Sequence, residues 1–142
     1  QDMNHQDTKT PRGVHEPVPV ELDRVAAEIV DAALVVHREM GPGLLESVYE
    51  ACLSEELRRR KLDVERQVMV PLVYKGVPLD ERLRLDVLVE KLVLIEVKSV
   101  EQLLSVHTAQ VLSYLKLTNL RLGFLINFNV PVIRDGIRRF VL

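Results

Sequence analysis

The sequence predicts one α/β domain, a mixed β-sheet flanked by helices in the order α-α-β-β-β-α-β, on three observations. The chain has 142 residues, enough for one core and too few for two. Its apolar residues recur with a helical period in the first third and with a period of two in the middle. The stretch Leu92 to Val97 is almost continuously apolar, as in a strand covered on both faces.

The elements follow in order. Residues Gln1 to about Val20 are polar, carry Pro11, Pro17 and Pro19, and show no apolar period, so residues 1–20 are expected to be a flexible tail. From Asp23 to Met40, Ala26, Ile29, Val30, Ala33 and Val36 mark a helix that Gly41-Pro42-Gly43 stops. Leu45, Val48, Tyr49, Cys52, Leu53 and Leu57 lie on one stripe of a second helix, with Glu50, Glu55, Arg58 and Arg59 expected to point elsewhere. Val68 and Val70 open a strand in which Pro71 argues for an edge position or a bulge, and Gly76-Val77-Pro78 reads as a turn. Leu83, Leu85, Val87 and Val89 alternate with Arg82, Arg84, Asp86 and Leu88 in a second strand, and the apolar run is the third. Leu103 to Leu117 is helical by spacing. Arg121 to Phe128 is a strand with Leu122, Phe124, Ile126 and Phe128 on one side, and Ile137 to Val141 is a short last strand.

Composition narrows the function classes. The apolar fraction of 47% and the charged fraction of 28% fit a globular domain, and the apolar runs are too short to cross a bilayer. No basic, apolar, then small-residue pattern opens the chain, so a cytoplasmic location and no membrane association are expected. The single cysteine, Cys52, excludes an intrachain disulfide and reads as a small core residue. A net charge of −2 argues against a purely electrostatic coat on nucleic acid. Only ten of the 19 Lys and Arg residues follow residue 70, but just seven of the 21 Asp and Glu do, so the C-terminal half is the basic one. There Arg134, Arg138 and Arg139 are candidates to reach phosphate, whereas Arg58 to Lys61 read as a solvated face.

The chemistry concentrates in Arg84-Leu85-Asp86 and Leu94-Ile95-Glu96-Val97-Lys98. Strand side chains alternate, so Glu96 and Lys98 share a face roughly 6.6 Å apart. Asp86 and Glu96 on neighbouring strands supply the fixed oxygen ligands that Mg²⁺ or Mn²⁺ requires. Lys98 then positions or activates the attacking water and offsets charge on a phosphate. The competing view, a Glu and Lys pair on an exposed strand face, leaves charges in an apolar strand desolvated without compensation. A shared metal also fixes the register. A three-residue loop Glu90 to Leu92 sets Asp86 opposite Glu96, whereas a two-residue Glu90-Lys91 turn sets Asp86 opposite Ile95 unless a bulge corrects it.

Asp86 followed by Glu96-Val97-Lys98 resembles the D…(D/E)XK motif of the PD-(D/E)XK nuclease superfamily, with Leu85 where the parent motif has proline. Gly43-Leu44-Leu45-Glu46-Ser47-Val48-Tyr49 fits the GxxExxY signature of one family in that superfamily. Gln110-Val111-Leu112-Ser113-Tyr114 fits the QxxxY element of RecB-type exonucleases. The resemblance, from about Val25 to the end, implies a restriction-endonuclease-like core over residues 21–142. It also implies a third metal ligand in Glu46 and a substrate- or water-orienting role for Gln110 and Tyr114. Without the resemblance, Glu46 reads as a first-turn acid complementing the helix dipole, Tyr49 as a core aromatic, and His107 as a lone histidine without ligand partners. Two functions follow. One is a Mg²⁺- or Mn²⁺-dependent nuclease acting on DNA, with the choice between DNA and RNA left open by the sequence. The alternative is a catalytically silent module that binds nucleic acid or protein on the same fold. The small surface leaves a homodimer or a protein partner to extend recognition.

Overall fold

A computed structural model describes residues 18–142. Residues 1–17, most of the expected tail, lie outside the described residues. Helix α1 spans Val20–Met40 and α2 spans Glu46–Arg59. Strands β1 (Val64–Tyr74), β2 (Val77–Val89) and β3 (Val93–Lys98) follow, then α3 (Ser105–Thr118), β4 (Leu122–Asn127), a 3₁₀ turn (Ile133–Gly136) and β5 (Ile137–Val141). The five strands form one sheet in chain order, and only β3 and β4 run parallel. The parallel step needs a crossover, and α3 provides it. Among the described residues no helix is long and apolar enough to cross a membrane.

Each sheet face has its own core. Val87, Val89, Val93, Ile95, Val97, Leu122, Phe124, Ile126 and Phe128 pack against α1 and α2. Leu94 and Leu125, on the opposite face, pack with Phe140 against Val111 and Leu115 of α3. Buried throughout except at Lys98, β3 and β4 thus have helices on both sides, which is why their sequences are apolar without alternation.

Several boundaries differ from the sequence expectation for physical reasons. Helix α1 starts at Val20, ahead of Asp23, because Pro19 precedes it at φ −58° and Glu21 and Asp23 complement its dipole. Gly41, at φ 72°, ends it by donating its N–H to His37 O at 2.8 Å. On α2, Leu45 is exposed because it stands just before the helix, and Glu50 is buried rather than pointing away. The first hairpin turns at Lys75-Gly76, both with positive φ, instead of at Gly76-Val77-Pro78. Tyr74 therefore pairs with Val77, and β2 begins there. Pro71 has both expected features, lying in the edge strand β1 at a register shift.

The register between β2 and β3 decides the site. Glu90 and Lys91 have φ of 55° and 56°, and Leu92 donates its N–H to Val89 O at 2.9 Å, so the reversal is a tight two-residue turn. Val89 nevertheless pairs with Val93, leaving Leu92 as the extra residue of a three-residue connection. Val87 then faces Ile95, and the next opposed pair in that register is Asp86 and Glu96.

One close approach ties β5 to the end of β4. A Cβ built on Gly136 would overlap the Asn127 carbonyl oxygen. The Asn127 side chain in turn accepts the Val100 N–H at 3.0 Å and donates to Val100 O at 2.9 Å, fixing the chain where it leaves β3. Gly136→Ala should therefore cost about 1–3 kcal/mol, measured by urea unfolding, with the loop at Val100 losing amide protection first.

Candidate functional site

Strands β2 and β3 part at Asp86 and Glu96, and there carboxylates replace the ladder. The Asp86 N–H donates to Glu96 Oε2 at 3.1 Å, and the Val97 N–H donates to Asp86 Oδ2 at 2.9 Å. Each side chain thus satisfies a backbone donor of the other strand, which holds both carboxylates at one point. The two carboxyls also lie within hydrogen-bond reach of each other.

The partner strand turns over at the same place. Gln67 of β1 has φ 53°, and the ladder passes from Arg66–Val87 to Val68–Leu85 without a Gln67–Asp86 pair. On one side of this point Val87 packs against α1 and α2, and on the other Leu85 packs in the α3 cluster. Left-handed backbone at a β-region glutamine costs roughly 1–3 kcal/mol and is sustained only where surroundings enforce it. Glu50 is the enforcing group. Its carboxylate accepts Gln67 Nε2 at 2.9 and 3.0 Å and Arg66 Nε at 3.0 Å. The sequence stripe on α2 gave no sign of this, since the contact depends on the reversed backbone of a strand 17 residues away.

Electrostatics follow from the crowding. Burial raises the Glu96 pKa from an ordinary 4.5 to about 8, and the Asp86 charge adds to the rise against the Lys98 ammonium. Asp86 is also pushed up, first by burial, then by Glu50 and Glu46, while the Val97 N–H and Lys98 pull it down. Lys98, half-buried at the end of β3, makes no ion pair among the described residues, so its charge is shared between the two acids rather than spent on one.

The remaining candidates converge from both sides of the sheet. Glu46, at the first position of α2, accepts the Ser99 N–H at 3.2 Å, while Ser99 Oγ donates to Leu44 O at 2.6 Å. The helix start is thereby tied to the exit of β3. Tyr49 is the core aromatic expected: it stacks on Phe128 with ring centroids 4.6 Å apart, donates to Gly41 O and accepts from Leu44 N. From α3, Gln110 Nε2 donates to the Tyr114 hydroxyl at 3.2 Å. Burial and then the Glu96 charge push the Tyr114 phenol upward, keeping it a protonated donor beside the acids. His107 caps its own helix, its Nδ1 accepting the Leu104 N–H at 2.9 Å. Of the distal arginines, Arg139 pairs with Asp23 at 3.3 Å.

A divalent cation fits the acid pair. Asp86 Oδ2 and Glu96 Oε2 accept from the backbone, and the second oxygen of each accepts from no donor among the described residues, so the pair would hold the cation there. Among the described residues no three Asp, Glu, His or Cys side chains form a ready cage. Water and phosphate oxygens must therefore complete any shell, as is usual for Mg²⁺.

The architecture is a restriction-endonuclease-like α/β core with its acidic cluster at the parting of two central strands. The family model of the PD-(D/E)XK nuclease superfamily matches residues 23–140, from α1 to β5, and the chain belongs to that superfamily. Its members generally use divalent metals and act on nucleic acid. No curated protein and no solved structure matches the chain.

A pH signature follows for the metal-free protein. Between the unfolded Glu96 pKa near 4.5 and the folded value of about 8, the folded chain holds a proton that the unfolded chain has released. Stability should thus fall as pH rises through that window. Thermal unfolding in chelator should show this decline, Glu96→Gln should flatten it, and Mg²⁺ should raise the wild-type midpoint more at pH 8 than at pH 5.

Proposed function

We propose that the protein is a Mg²⁺- or Mn²⁺-dependent nuclease that hydrolyses phosphodiester bonds in DNA. The observation that carries this reading is the opposed pair Asp86 and Glu96, locked by reciprocal backbone hydrogen bonds, with Lys98 one step along the face of Glu96. Asp86 and Glu96 are the metal ligands, and Glu46 approaches as a third carboxylate or through a bound water. A cation there neutralises phosphate charge and lowers the pKa of a bound water.

Each neighbouring residue then has a task that its surroundings allow. Lys98, which makes no ion pair among the described residues, offsets the charge that builds on the phosphate and orients the attacking water. Tyr114, kept protonated, donates a hydrogen bond to substrate or to that water, and Gln110 holds the phenol in place. Membership of the GxxExxY group is the finer reading. It is supported by what those three residues do: Gly43 takes φ 96°, Glu46 holds the exit of β3, and Tyr49 closes the loop between the helices. The rival reading is a catalytically silent module that binds nucleic acid or protein on the same fold.

Lys98→Ala should leave the metal-induced rise in melting temperature intact, because an ammonium has no lone pair to donate. It should lower turnover by about a hundredfold or more. Lys98→Arg should recover DNA binding better than cleavage, since guanidinium keeps its proton. Glu96→Ala should abolish both the metal response and cleavage. Cleavage and binding are measured side by side with Mn²⁺ and with chelator. Undiminished cleavage by Lys98→Ala overturns the role of the lysine, and binding without cleavage by wild type favours the silent module.

A further inference from the structure

Beyond Asp86 the β1–β2 hairpin leaves the rest of the sheet, since β3 pairs with β2 only from Val87 to Val89. The arm runs from Val68 and Leu85 to the turn at Lys75-Gly76, and almost every residue beyond Leu72 on both strands is exposed. A two-stranded ribbon has little stability of its own, so an arm of this length has to be justified by what it carries.

It carries Arg84 and Arg82, which share one face. The pairing is unbroken from Val68–Leu85 through Met69–Arg84 and Val70–Leu83 to Pro71–Arg82, so alternation places both arginines on the same side, opposite Met69 and Pro71. Neither cross-strand neighbour is an acid. Both arginines are exposed, and among the described residues neither makes an ion pair, not even with Asp80 one step nearer the tip. Four other arginines are paired: Arg59 with Glu55, Arg60 with Glu28, Asp31 and Glu56, Arg66 with Glu50, and Arg139 with Asp23.

The arm also starts at the site. Arg84 is two residues from Asp86, and its charge acts on the Tyr114 hydroxyl, as do those of Glu96 and Asp86. Successive same-face residues are separated by roughly 6.6 Å, a step comparable to that between neighbouring phosphates on one nucleic-acid strand. The site itself is strongly acidic, with Glu46, Glu50, Asp86 and Glu96 against Lys98, and repels a polyanion unless cations adjoin it.

We infer that Arg84 and Arg82 form a phosphate-binding rail on the β1–β2 arm that holds one strand of the substrate beside the scissile phosphate. This rests on the nuclease reading and specifies where its substrate lies. Both residues are positioning residues: they contact phosphates that do not react, supply affinity without base preference, and leave the chemical step to the acid pair.

The test uses the full chain and a 20-nucleotide single-stranded DNA, with binding measured in chelator over a salt series and cleavage measured in Mn²⁺. Arg82→Ala/Arg84→Ala is compared with Arg24→Ala/Arg38→Ala, which removes the same charge from exposed positions on α1. The rail variant should bind about tenfold or more weakly, with a salt slope reduced by about 1.4, and should raise KM with little change in kcat. Arg82→Lys/Arg84→Lys should restore most of the binding. If wild type binds and cleaves but the rail and control variants weaken binding equally, the rail is refuted and the nuclease reading stands. If wild type binds and the rail variant weakens binding selectively while no cleavage occurs, the rail stands and the nuclease reading falls. If wild type neither binds nor cleaves, both fall.

Discussion

The backbone donors of Asp86 and Val97 lose their ladder partners where β2 and β3 separate, and a buried N–H without a partner is costly. Two carboxylates from the opposing strands take those donors, and the rest of the site depends on that exchange. It fixes the acids in one place without metal, substrate or a flexible loop. It also explains why a residue as polar as Glu96 is tolerated within the apolar run of β3: one of its oxygens serves as a surrogate carbonyl.

That solution creates an electrostatic problem that only a proton or a cation resolves. Burial pushes both acids upward, Asp86 adding to the rise at Glu96 and Glu50 and Glu46 to the rise at Asp86, and one lysine does not compensate for so many carboxylates. Confining so much negative charge is unfavourable as such, and a divalent ion with its water would offset it. The strain at Gln67 belongs to the same arrangement. Glu50 holds the left-handed backbone that turns β1 and β2 over beside Asp86, so the acid on α2 shapes the site as well as charging it.

The helices brace this centre from opposite sides. Tyr49 and Glu46 bind the start of α2 to the ends of α1 and β3, and Tyr49 carries the link onward to Phe128 by stacking on it. On the other face, Val111 and Leu115 anchor α3 in a core of its own, which sets Gln110 and Tyr114 along the flank of the acids. The acids therefore lie at a place reached by elements on both sheet faces, which a single-faced core does not provide.

By itself the sequence determined the order of elements, the apolar faces of β3 and β4, the edge-or-bulge character of the strand that carries Pro71 and the residue types that gather at the site. These are consequences of local period, turn chemistry and motif spacing, all carried by residues close together in the chain. The spacing of Asp86 and Glu96 also limited the register to two alternatives, of which the extra residue Leu92 selects the one that opposes them. Only the tertiary structure decided that Glu50 is buried at the site and that Gln67 reverses its strand. Neither follows from periodicity, since the helical stripe assigns Glu50 outward and a strand pattern assumes a uniform backbone. Both arise because a helix and a strand distant in sequence meet at one point, where the energy of a buried carboxylate's hydrogen bonds outweighs a local conformational preference.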